Sequence, residues 1–109
     1  MKWPKYIRLG YRTMRLKMLS PHRIALGGYS GKSRTTSGEI LISTGMDVQE
    51  EAGTLLHEVV HVILLHGGYT DVEADEGKVE CLANGLCQSM QDNIRLWRRI
   101  MKALWMVKP

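Results

Sequence analysis

The chain has 109 residues, 44% of them hydrophobic and 24% charged, with a net charge of +4 and two cysteines. That length suits a single domain (residues 1–109) that can bury a core without disulfide or metal staples, and the composition excludes a disordered or membrane-embedded chain. No apolar stretch is long enough to span a bilayer, and the start "MKWPKYIRLG" lacks the apolar run and small-residue site of an export signal, so neither an anchor nor a leader is expected.

Residues 1–46 read as mainly extended. "YIRLGYRTMRL" alternates Ile7, Leu9 and Tyr11 against Arg8 and Arg12. "RIALGGY" and "EILIS" add two short β-rich runs, separated by the Gly/Ser/Thr stretch "SGKSRTTSG" that reads as a turn. Three short strands in antiparallel order are expected.

The period changes at Asp47, placed where an N-cap belongs, with Glu50 three residues on in capping-box fashion. The run "EAGTLLHEVVHVILL" has no breaker, and a helix is predicted over 48–65. Thr70 and Glu73 repeat the signal and open a second helix whose apolar residues Val72, Val79, Leu82, Ala83, Leu86 and Met90 keep to one side. Gly77 and Gly85 sit inside it at some cost in stability, as if to admit a close backbone. Cys81 and Cys87 lie six positions apart, too far round a helix to pair, so free thiols and a cytoplasmic setting are expected.

Asp92 and Asn93 are expected to break the helix, because an unbroken one to residue 105 would run ~50 Å, longer than a compact domain of this size. The metal-site helices then occupy 47–93 and a C-terminal helix 94–109. That tail, "IRLWRRIMKALW", sets Ile94, Trp97, Met101 and Leu104 against Arg95, Arg98, Arg99 and Lys102. It reads as a cover for the core, with a membrane-surface or partner-binding helix as the alternative. Charge follows the same division: all eleven acids fall within residues 39–92, where Lys78 is the one cation, and both ends are basic. With no nucleic-acid-binding motif beside them, the basic ends give no reason to expect a nucleic-acid partner.

The polar trio inside the apolar helix carries the chemistry. His57 and His61 are four apart, which on a helix means ~40° of rotation and one turn of rise, so both imidazoles can reach one ion. Glu58, next round, falls beside the open position of that ion, where a carboxylate can take a proton from water. The flanking Leu55, Leu56, Val59, Val60, Val62, Ile63 and Leu64 suggest a helix buried nearly all round, where unsatisfied polar side chains would each cost ~1–3 kcal/mol. A divalent ion would satisfy the two histidines, and a reaction would use Glu58.

Imidazole and carboxylate ligands make zinc the default ion, and a catalytic zinc needs a third protein ligand. His66 lies too far round the helix from His61. The acids of the second helix are Glu73, Asp75, Glu76 and Glu80. Glu80 alone sits in an apolar frame, "VECLANGL", and is the expected ligand, with Glu76 as the alternative. Asn84, one turn after Glu80, is placed to fix a histidine tautomer.

"TLLHEVVHVIL" followed by "EGKVECLANGLCQSMQDN" resembles the small H-E-x-x-H proteins of phages and prophages, which look like minimal relatives of ImmA/IrrE-type and thermolysin-like (gluzincin) peptidases. The resemblance covers about residues 39–93. It implies a zincin-like α+β domain, a small antiparallel sheet packed on the H-E-x-x-H helix, with Glu80 as third ligand and Asn84 behind it. It also implies a phage-encoded zinc metallopeptidase of the bacterial cytoplasm in which Glu58 serves as general base and then acid, acting on a protein or peptide substrate. Tyr69, His66 and Tyr29 are eligible to stabilise the developing oxyanion. The alternative is a zinc-stabilised binding module that acts through its basic ends; oligomeric state is left open.

Overall fold

The computed structural model describes residues 2–20, 31–34 and 37–106, and of 32–34 the backbone alone. The "RIALGGY" run and Tyr29 lie outside the described residues. Among these residues, four strands, β1 (Tyr6–Leu9), β2 (Arg12–Leu19), β3 (Gly31–Arg34) and β4 (Glu39–Ser43), precede four helices, α1 (Val48–His66), α2 (Thr70–Glu73), α3 (Glu76–Asp92) and α4 (Ile94–Met106).

The α+β class and the small sheet agree with the sequence reading; strand number and direction differ from it. The sheet runs β1-β2-β4-β3. β1 and β3 pair antiparallel with their neighbours, but β2 and β4 run parallel, Leu16 opposite Ile40 and Met18 opposite Ile42. Two local features account for the change. Gly10 takes φ +62, a left-handed conformation open to glycine, so the run read as one strand folds back at Gly10–Tyr11 into the β1–β2 hairpin.

The "GKSR" segment, read as turn, is strand β3. It lacks an apolar face because its backbone packs directly on α1: a Cβ at Gly31 would meet Thr54 Cγ2 at 2.6 Å and Glu58 Cγ at 3.3 Å. Absence of a side chain is what lets the strand lie there.

α1 divides its circumference between neighbours at about 100° per residue. One sector turns Val62, with Leu55 and Val59, onto Met14, Leu16, Ile40 and Ile42 of the sheet. Another turns Val60 and Leu64 onto Val79, Ala83 and Leu86 of α3. Burying such side chains contributes about 1.5–3 kcal/mol each. The expectation of a helix covered nearly all round is corrected by Ile63, which is 54% exposed on the sector that meets neither layer. His57 and His61 occupy the sector between α3 and the β3 edge.

The caps follow the sequence at α1, where the Glu50 N–H donates to Asp47 Oδ1 at 2.9 Å. They depart from it at the second helix, which does not run from Thr70. α2 ends after one turn, and Asp75, in an extended conformation, caps α3 by accepting from the Lys78 N–H at 3.1 Å. Asn93 ends α3 as expected; its amide group donates to the Ser89 carbonyl at 3.1 Å. A Cβ at Gly85 would meet nothing within 4 Å, so among the described residues no neighbouring backbone comes close there. α4 does not cover the core: it has no buried residue. Both cysteines are free. Among the described residues no helix is long and apolar enough to cross a membrane.

Candidate metal centre

α1 delivers His57 and His61 one turn apart, their rings 4.9 Å between centroids and edge to face. α3 supplies Glu76 from its first turn. One carboxylate oxygen of Glu76 lies 2.9 Å from His61 Nε2 and the other 3.1 Å from His57 Nε2. The three ligand atoms lie within 4.8 Å of one another.

Behind His61, its Nδ1 is 3.0 Å from Glu73 Oε1. Both ring nitrogens of His61 thus face a carboxylate. With Nδ1–H donating to Glu73, a neutral His61 turns the Nε2 lone pair toward the Glu76 carboxylate, an arrangement that repels unless a proton or a cation sits between. A cation suits the spacing, since neighbouring ligands of a tetrahedral ion with ~2.0–2.1 Å bonds stand about 3.3 Å apart. The residues therefore fit a divalent metal, held by His57, His61 and Glu76.

Glu80 and Asn84, expected as ligand and orienting group, are both exposed on α3 and take no part in the cluster. Their places are filled by Glu76 and Glu73. The reason is the break at Asp75: by starting α3 there, the chain turns its first carboxylate, Glu76, to the histidines, while α2 brings its last residue, Glu73, against the far side of His61. The D-E-G-K sequence at Asp75 is itself a capping signal, and it is the clue that would have moved the ligand back one turn.

Glu58 is buried beside His57, at 6% exposure, with its Cγ beneath Gly31 of β3. Glu76 is open, its side chain 69% exposed, whereas His61 is 9% exposed. The cluster is thus closed on the α1 side and accessible from solvent over α3. His66 is remote from it. Its ring lies 5.2 Å from that of Tyr11, and its Nδ1 is buried with no hydrogen-bond partner among the described residues. Tyr69 is exposed at the end of the α1–α2 connection. Comparison of the chain with known protein families, with curated proteins and with solved structures gives no match.

Proposed function

We propose that the chain is a zinc-dependent peptidase of the gluzincin kind, in which His57, His61 and Glu76 hold the ion and Glu58 moves the proton. The observation that supports this best is the convergence of two imidazole Nε2 atoms and one carboxylate, with Glu58, buried and not one of the three, following His57 directly on the same helix.

Held by His57, His61 and Glu76, a zinc ion would supply a Lewis acid that makes a water acidic enough to lose its proton near neutral pH. Glu58 accepts that proton as the water oxygen adds to the peptide carbonyl carbon. It then hands the proton to the nitrogen as the C–N bond breaks, so that acid and amine leave as separate products. Glu73 keeps His61 in the tautomer that presents Nε2. Among the described residues β3 pairs only with β4, so an extended peptide can add along its other edge, backbone to backbone, close to Glu58.

The test uses zinc-loaded full chain and a mixture of unfolded proteins, with new N-termini read by mass spectrometry. Wild type should generate them. Glu58→Gln should bind one zinc, keep its fold and lose about 10²–10⁴-fold in rate. Cleavage that persists undiminished in that variant, or no cleavage by the zinc-loaded wild type, would replace the peptidase by the zinc-stabilised binding module.

A further inference from the structure

We infer that α4 is a membrane-surface helix that lies flat in the headgroup region of an anionic bilayer. The helix is 13 residues long, about 20 Å at the standard rise. Winding it at about 100° per residue gathers Arg95, Arg98, Arg99 and Lys102 into one sector some 100° wide. The rest of the circumference is apolar, and Met106, at the last turn, falls within the cationic sector.

That apolar surface is open to water. Leu104 and Trp105 are each 70% exposed, and Met101 57%. α4 leans on the end of α3, where Trp97 Nε1 donates to Ser89 Oγ at 3.0 Å, and it contributes to neither hydrophobic core. A strongly two-sided helix with low mean hydropathy, cations on one side and Trp and Leu on the other, is the pattern that partitions into a lipid interface and does not span it.

Charge selects the lipid. Residues 94–106 contain no acid, so the cationic sector has no internal counter-charge within the helix. Arg95, Arg98 and Arg99 border a shallow open depression with Leu96, and clustered guanidinium groups are matched to phosphate oxygens. An anionic phospholipid offers phosphate and acyl chain to adjoining sectors of the same helix, which a soluble anion does not.

Pairing with a second copy fits less well. A face about 20 Å by 10 Å covers some 200 Å², against the roughly 800 Å² per partner of a stable interface.

Co-sedimentation of the full chain with vesicles tests this, using phosphatidylcholine alone or with about 30% phosphatidylglycerol. Partitioning into the anionic vesicles should be at least about tenfold stronger, and should weaken when salt is raised from about 0.1 M to about 0.5 M. Arg98→Glu/Arg99→Glu and Leu104→Asp should each lower it by at least about tenfold, with helical circular dichroism and bound zinc retained, since α4 holds no residue of the metal cluster. Failure to bind anionic vesicles overturns the inference. So does binding that survives Leu104→Asp, which would mean surface charge alone, or a lipid-free dimer that Leu104→Asp dissociates, which would give the face to a second copy.

Discussion

His61 and Glu73 meet at 3.0 Å between Nδ1 and Oε1, and with Nδ1–H donating there the ring's other nitrogen is left to the face shared with His57 and Glu76. Removing such a partner from a ligating histidine lowers metal affinity by about 10–100-fold. Glu73→Ala should therefore weaken zinc binding by that factor in competition with a chromophoric chelator, whereas Asn84→Ala leaves it within about threefold. Equal effects of the two substitutions would remove Glu73 from its role.

Glu76 and Glu80 are one helical turn apart on α3, and only Glu76 reaches the histidines. Glu76→Gln should cost zinc affinity by about two orders of magnitude or more, since a ligand itself is lost, and Glu80→Gln should cost little. Titration calorimetry on the two variants decides between them. The opposite ranking would put the ion one turn further along α3.

The near approach of β3 to α1 is tested at Gly31. Gly31→Ala forces its methyl to within 2.6 Å of Thr54 Cγ2. Thr54 is β-branched on a helix and has little rotamer freedom to yield. Crowding of this kind costs about 1–3 kcal/mol. Adding Thr54→Ser, which deletes that methyl, should recover most of the loss in denaturant unfolding; additive effects would show that the two positions do not touch.

Gly85 has open space where a side chain would go and lies within the helical span of α3. Gly85→Ala should stabilise the fold by about 0.5–1 kcal/mol through helix propensity alone. Thermal unfolding should move up by a few degrees, and an unchanged or lower midpoint would mean that this turn of α3 is not helical in solution.

Asp47 and Glu50 should titrate apart. The Glu50 backbone N–H, donating to Asp47, holds the Asp47 carboxyl below its ordinary range, and the hydrogen bond and charge of Asp47 push the Glu50 carboxyl above its own. The Asp47 contribution to stability is present above its unfolded pKa and lost as pH falls through its lower folded value. The Glu50 contribution has the opposite sense, being lost as pH rises through its raised folded value. Carboxyl NMR titration should show both shifts, and in Asp47→Asn the Glu50 carboxyl should return toward its ordinary value.

Long-range periodicity made the helices legible, while close backbone geometry hid much of the sheet and half of the candidate site. His57, Glu58 and His61 stand out because polar groups are costly within an apolar helical run. The Asp47 cap and the stop at Asn93 were readable for the same local reason, each side chain bonding its own neighbouring backbone. β3 left no apolar alternation to read, because its fit to α1 depends on a missing side chain at Gly31. The sequence favours Glu80 over its alternative, Glu76, and gives Glu73 no role, because an apolar frame is the ordinary sign of an inward carboxylate. The break at Asp75 turns two acids inward at the helix margin instead, where exposure and metal ligation coexist.

α1 belongs to both hydrophobic clusters, but the cluster it shares with α3 buries only Val60, Val79 and Ala83, against five residues on the sheet side. Two regions so unequal should open separately, with α3 and α4 exchanging amide hydrogens through a lower-energy excursion than the sheet and α1. The histidines and Glu76 stand astride that weaker seam, one element contributing from each side. Ion binding would then act as a latch: apo protein would sample states in which α3 swings away while the sheet stays intact, and the ion would draw the slower exchange rate of the sheet across to α3.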